Sequence, residues 1–222
     1  MMNTGKSLAK PNPTESVCIF LVRHGETDWN KNHRFQGRTD IPLNPVGRAQ
    51  AQAVALALKG VPLTAIHSSP LKRATETART IRAYHPTTPV IEELGLIEMD
   101  LGEFDGMKAQ HWAEKHPDLL EIWKERPSLM KMPGGESLKE VQTRAVETLE
   151  SIHGRYKTGS HLLFTSHNFV ITSLLCHACG MPLDRFRELR QETAALNILY
   201  KQGERLWAER VNDRSHLDKY MR

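Results

Sequence analysis

Five side chains carry the chemistry worth following in this sequence of 222 residues. They are Arg23 and His24 in VCIFLVRHGETDWN, Arg73 in SSPLKRATETA, Glu98 in IEMDLGEFDG and His167 in FTSHN. The six apolar residues from Val17 to Val22 stop abruptly at Arg23-His24-Gly25. An apolar strand ending on a guanidinium beside an imidazole poses a choice. The imidazole is a metal ligand, a nucleophile, or only a polar turn where the chain leaves the core.

Two histidines and a glutamate could ligate zinc. Two neighbouring arginines argue against it, because they repel a dication. No His-Glu-x-x-His string occurs, and His111 and His116 stand five residues apart, off a common helix face. The acidic run from Glu98 to Gly106 mimics a calcium loop, yet Gly102 and Phe104 stand where oxygen ligands would be needed. No metal is expected.

Phosphoryl transfer uses every member of the set. Its barrier is lowered chiefly by positioning and by stabilising charge on the phosphoryl oxygens. The guanidinium forks of Arg23 and Arg73 match those oxygens and stay charged at any working pH. His24, with one ring nitrogen held by an acceptor, could attack phosphorus with the other. His167 could donate to a phosphate oxygen. Glu98 could protonate the leaving alkoxide, then take a proton from the water that hydrolyses the phosphohistidine. Gly25 would let the backbone approach closely after the nucleophile.

The surrounding pattern has to bring these residues to one place. Val17–Val22 reads as a central strand covered on both faces. Asn44-Pro45 reads as cap and first residue of a helix closed by Gly60, and Leu63–His67 as a short strand. Ser69-Pro70 repeats the cap signal for a helix that Pro86 stops, so Arg73 falls in its first turn, where the helix dipole adds positive field. Val90–Glu92 is a further strand, and HWAEKHPDLLEIWKER, within 107–126, a helical stretch. Ser137 and Glu140 form a capping box opening a helix to about Tyr156. His161–Ser166 is a strand, Asn168 a cap for the next helix, and Leu196–Lys201 with Leu206–Val211 a hairpin. Strands alternating with helices predict an α/β fold, a three-layer α/β/α sandwich with a mostly parallel central sheet and an antiparallel edge. Ligands of such sheets sit beyond the carboxyl ends of the strands, where all five side chains emerge.

Composition narrows the remaining classes. With 39% hydrophobic and 25% charged residues the chain is globular, and a net charge of +4 gives no bulk argument for nucleic acid. Three cysteines are too few for a disulfide framework, which points to a reducing compartment. No apolar leader and no run of membrane-spanning length is present, so a cytoplasmic protein without a membrane partner is expected. Residues 1–16 are expected to be a flexible tail, 17–217 a single domain and 218–222 a C-terminal tail. Thr4-Gly5-Lys6-Ser7 mimics the end of a P-loop, but only three residues precede it, and no nucleotide site is expected there. Cys176 and Cys179, at a helix C-terminus, read as core-facing residues one turn apart rather than a redox pair.

The ordered set Arg23-His24-Gly25-Glu26-Thr27, Phe35-Gln36-Gly37, Ser68-Ser69-Pro70 through Arg73 to Ala78, Glu98 with Leu101-Gly102-Glu103-Phe104-Asp105-Gly106, Pro133-Gly134-Gly135-Glu136-Ser137 and Ser166-His167 resembles the histidine phosphatase superfamily, the phosphoglycerate-mutase-like group. The resemblance spans about residues 17 to 217. It implies a phosphohistidine on His24, Glu98 as proton donor, and Arg23, Arg73 and His167 as a phosphate pocket, with no metal or nucleotide cofactor. It also implies that Asn30 and Gly37, with Gln36 as neighbour, contact the phosphoryl group or substrate. One departure is Asn168, where many relatives have glycine; helix capping is the expected role, with substrate contact as the alternative. Mutases of the group carry a longer segment after the acid and a Glu-Arg-His-Tyr string there, both missing here, so a phosphatase acting on a small phosphorylated metabolite is expected. A phosphoglycerate mutase is the alternative, and a non-catalytic scaffold a weaker one, since no catalytic group is missing. Residues 107–135 are expected to overhang the site, with Lys108, Lys124, Arg126 and Lys131 available for a second anionic group. The C-terminal hairpin could pair across a homodimer.

Overall fold

The structure, a computed structural model, describes residues 12–221. Most of the expected N-terminal tail, including Thr4–Ser7, lies outside the described residues. A short 3-10 turn, Pro13–Glu15, leads into β1, Val17–Arg23. There follow α1 (Asp28–Lys31), α2 (Pro45–Leu58), β2 (Ala65–Ser68), α3 (Lys72–Arg82) and β3 (Val90–Glu92). Next come α4 (Ala109–Lys115), α5 (Pro117–Glu125), α6 (Leu138–His153), β4 (His161–Ser166) and α7 (Asn168–Ala178). The hairpin β5 (Leu196–Gln202) and β6 (Arg205–Asp213) and a last helix, α8 (Ser215–Tyr220), complete the chain. Helix α8 takes in part of the segment expected to be a C-terminal tail.

The six strands form one sheet in the order β3-β2-β4-β1-β5-β6. The first four are mutually parallel, and β5 and β6 run antiparallel at one edge. Strand β1 shows why the sheet is covered twice. Its Val17, Ile19 and Leu21 pack with α6 and α7, through Leu138, Val141, Leu149, Ile171 and Leu174. Its Cys18, Phe20 and Val22 pack with α2 and α3, through Val54, Leu58, Ala78 and Ile81. Successive side chains of a strand point to opposite faces, so an uninterrupted apolar run demands two helical layers.

Several local expectations are met at the level of individual bonds. Asn44 caps α2 by accepting from the Gly47 amide, and Ser137 and Glu140 form the capping box of α6. Others are corrected. The helical stretch of 107–126 is two helices, because Pro117 has no N–H to continue α4 and instead starts α5. Helix α6 ends at His153, before Gly154, rather than at Tyr156. The cap of α3 is Leu71, without a side-chain bond, while the Ser69 hydroxyl accepts from the Leu71 amide at 3.4 Å and stands 2.7 Å from His167 Nε2. Of the two cysteines near the end of α7 only Cys176 is buried; Cys179 is exposed. No helix among the described residues is long and apolar enough to cross a membrane.

Candidate active site

Sheet register brings the polar strand ends level with one another. Arg23 of β1 pairs with Ser166 of β4, and Ser68 of β2 pairs with Thr165. His24 and His167, the next residues of β1 and β4, therefore leave the sheet at the same height, with Ser69 of the β2 end one residue below them. Arg73 follows one turn into α3, and Glu98 arrives from β3 through the 3-10 turn Leu94–Leu96.

His24 is 3% exposed. Its Nδ1 lies 2.7 Å from the Gly25 carbonyl oxygen, which can only accept, so the proton sits on Nδ1 and Nε2 keeps a lone pair. Burial first, then Arg73 and Arg23, hold the imidazole well below its ordinary range. It is neutral at physiological pH. Gly25 allows a close backbone approach directly after His24. A Cβ there would stand 2.3 Å from the Gly47 carbonyl oxygen, so the glycine admits the backbone at the start of α2.

His167 stands behind His24, with ring centroids 5.1 Å apart. Arg73 donates its Nε–H to His167 Nδ1 at 3.2 Å, which places the imidazole proton on Nε2, 2.7 Å from Ser69 Oγ. Burial, with Arg73 and His24 beside it, holds this ring far below its usual range as well. Arg73 is fully buried, and its other nitrogens donate to the Thr39 carbonyl at 2.9 Å and the Gly37 carbonyl at 2.7 Å. Burial lowers its pKa to about 10, which leaves it a cation at neutral pH.

Glu98 is 3% exposed and accepts from the Met99 amide at 2.9 Å and the Phe169 amide at 3.2 Å. Burial raises its pKa above the ordinary carboxyl range, against the pull of those amides and of Arg73 and Arg23. Its backbone is held by Arg144 of α6, which donates to the carbonyls of Gly95 (2.9 Å), Ile97 (2.7 Å) and Glu98 (3.2 Å). Glu136 completes the clamp, receiving Arg144 Nε and the Asp100 amide, both at 2.9 Å.

Arg23, His24, Asn30, Gln36, Glu98 and Asn168 line one cavity of about 580 Å³. Two donors on its wall are buried and unpartnered: Arg23 Nε and Gln36 Nε2. The opposite atoms of the same side chains are tied down. Arg23 Nη1 donates to the Gln191 carbonyl at 2.5 Å, and Gln36 Oε1 accepts from Thr27 at 2.7 Å. Asn30 is fixed through its Oδ1, which accepts the Thr27 amide at 3.1 Å. Buried donors fixed at one end and idle at the other are costly unless something accepts from them. An anion is the natural occupant.

Arg73, His167 and Gly37 do not line this cavity. Gly37 is also spent internally, its N–H on Asp105 Oδ1 at 2.9 Å and its carbonyl on Arg73. It holds Arg73 rather than facing the cavity. Asn168 lines the cavity as the first residue of α7, and the cap position belongs to His167 without a side-chain bond. Capping is thus not its task. The cations expected from 107–135 stay out of the lining, to which that segment gives only Trp123, while Met130 and Met132 are buried in the core. In their place stand Arg34 and the segment after α7, with Phe186, Arg187, Arg190, Gln191 and Glu192. Sequence reasoning missed that segment because it is an irregular 3-10 turn, Leu183–Leu189, with no periodicity to mark a face. Among the described residues no group of three or more His, Cys, Asp and Glu is placed to hold a metal ion.

Comparison with known proteins agrees with this arrangement. The model of the histidine phosphatase superfamily (branch 1) matches residues 19–214. The chain belongs to the histidine phosphatase superfamily. It is 32% identical to phosphoserine phosphatase 1 of Hydrogenobacter thermophilus, over 92% of this chain and 96% of that one. It is 33% identical to the probable phosphoglycerate mutase GpmB of Escherichia coli, over 90% and 94%. Among solved structures, Bacillus stearothermophilus YhfR superposes with a TM-score of 0.85 at 30% identity, covering 90% of this chain and 99% of the other. By class this member is a phosphoric monoester hydrolase.

Proposed function

We propose that the protein hydrolyses a small phosphomonoester through a phosphohistidine on His24. The observation that carries this reading is the bare Nε2 of a neutral, buried His24 in the same cavity as the unpartnered donors of Arg23 and Gln36. His24 Nε2 gives its lone pair to phosphorus, and the ester P–O bond breaks on the far side. Glu98, whose protonated form burial favours, gives its proton to the departing alkoxide. Arg23 Nε, Gln36 Nε2 and the Asn30 amide meet the phosphoryl oxygens. Arg73 adds positive field from behind His24 and orients His167, which packs against the nucleophile's ring. In the second half Glu98 takes a proton from water, the hydroxide displaces His24, and inorganic phosphate leaves.

Hydrolysis of p-nitrophenyl phosphate in excess EDTA tests the reading. His24→Ala is expected to lower turnover on the order of 10⁴-fold or more, as loss of a nucleophile does. Turnover that survives in His24→Ala, or that requires an added divalent metal, contradicts it. Since one relative is named a probable phosphoglycerate mutase, interconversion of 2- and 3-phosphoglycerate in bisphosphoglycerate-primed enzyme is measured alongside.

A further inference from the structure

The phosphoryl groups account for only part of the cavity. A volume of about 580 Å³ is what encloses most of a molecule far larger than phosphate. Its remaining wall has two characters. Trp123, Phe169 and Phe186 form a cluster of rings with centroids 5.8, 5.4 and 6.0 Å apart, an apolar surface made for a flat or ring-shaped group. Two guanidiniums stand beside it. Arg187 lies over the Trp123 and Phe186 rings at 5.2 and 4.7 Å, and among the described residues its guanidinium donates only to the Trp123 carbonyl. Among the described residues the Arg34 guanidinium donates only to the Gly106 carbonyl, at 2.8 Å.

Among the described residues neither Arg34 nor Arg187 has a carboxylate within ion-pair distance, in contrast to Arg190, which sits 2.9 Å from Glu192. Glu192 is further shared with Arg214 at 4.0 Å, so apart from the proton donor Glu98 the wall offers no acid free of an arginine. Arginine bound only to neutral carbonyls keeps its full affinity for an oxyanion.

We propose that the substrate's leaving group is a ring or other apolar body bearing a second oxyanion and no ammonium, seated on Trp123, Phe169 and Phe186 and paired with Arg34 and Arg187. This rests on the phosphatase reading above and names its substrate class. It also separates the chain from an enzyme built for O-phosphoserine, whose ammonium would enter a wall that repels it.

Three aryl esters of matched phenol acidity test the proposal: 4-(carboxymethyl)phenyl, 4-(phosphonomethyl)phenyl and 4-ethylphenyl phosphate. Matching the phenols keeps the chemical step equal, so binding decides the outcome. At least one anionic ester is expected to exceed the ethyl ester about tenfold in kcat/KM, through KM, the worth of a charge-assisted bond. Whichever of the two leads tells a carboxylate from a phosphonate partner. Arg34→Gln and Arg187→Gln each bring the anionic-to-neutral ratio towards one, and Trp123→Ala raises KM for all three. In a second pair, 3-phosphonooxypropionate outperforms O-phosphoserine, from which it differs by the ammonium alone. If p-nitrophenyl phosphate and the ethyl ester turn over but the ratio is one or below in the wild type, this inference fails and the phosphatase reading stands. If no ester turns over, both fail.

Discussion

Two buried imidazoles in the same sheet have opposite fates. His67, in the middle of β2, is fully buried, with Nδ1 3.0 Å from Glu93 Oε1 and Nε2 3.1 Å from the Tyr156 hydroxyl. Its faces meet Phe164 and Tyr156 edge-on, at centroid distances of 5.5 and 5.7 Å. Both ring nitrogens are matched, and the ring does not line the cavity that holds His24. His24 is nearly as buried, yet only Nδ1 is bonded and Nε2 faces a cavity with idle donors. Burial lowers the pKa of both rings, so burial alone does not distinguish a structural from a reactive histidine. The unmatched nitrogen does.

Substitutions can break or sharpen this contrast, and after His24 itself the largest effect is expected at the charge behind it. Arg73→Ala removes a buried cation and the bond that orients His167, and turnover is expected to fall on the order of 10² to 10³-fold, as for a lost charge-stabilising donor. A near-normal steady-state rate would detach Arg73 from the reaction. Glu98→Gln comes next. It is expected to slow alkyl phosphates on the order of 10²-fold while sparing p-nitrophenyl phosphate, whose phenolate needs little protonation. Equal losses on both would assign the acid elsewhere.

Glu98→Gln also has a stability signature. The folded state holds the carboxyl proton more tightly than the unfolded chain, so ionisation works against folding. Wild-type stability should therefore decline as pH rises above the ordinary carboxyl range, and the Gln variant should escape that decline. Urea unfolding at pH 4 and pH 8 checks it: the variant gains on the wild type at the higher pH only. His24 carries the opposite sign. Its folded pKa is depressed, so its contribution is lost as pH falls below the imidazole range.

The smallest effect on activity belongs to the fully matched ring. His67→Gln is expected to keep turnover within about threefold while lowering stability by about 1–3 kcal/mol, because buried partners lose their bonds. Activity loss without a stability change would erase the contrast with His24.

How far the sequence reaches is visible in the same residues. The unbroken apolar run of β1 announces a strand covered twice, and the parallel topology that follows from alternating strands and helices sends Arg23, His24, Glu98 and His167 towards one end of the sheet. Those are local patterns with long-range consequences. Gly37 and Asn168 show where such patterns stop, because whether a residue lines a cavity or braces a neighbour depends on packing that no spacing encodes. Ser69 carries a helix-cap signal, but its hydroxyl also sits 2.7 Å from His167 Nε2, a partner 98 positions away. Arg187 and Gln191 come from an irregular segment, so nothing periodic pointed to them. The cations of 107–135 are equally suitable by composition and do not line the cavity.

The most direct test of the account is to quench the enzyme with acid-labile phosphate still attached. Mixing excess ³²P-labelled p-nitrophenyl phosphate with enzyme and quenching in alkali within the first turnover should trap a base-stable, acid-labile phosphoryl group on the peptide that contains His24. Label on a different peptide, a bond of carboxyl-phosphate lability, or undiminished label in His24→Ala would contradict a nucleophile defined by that one unmatched nitrogen.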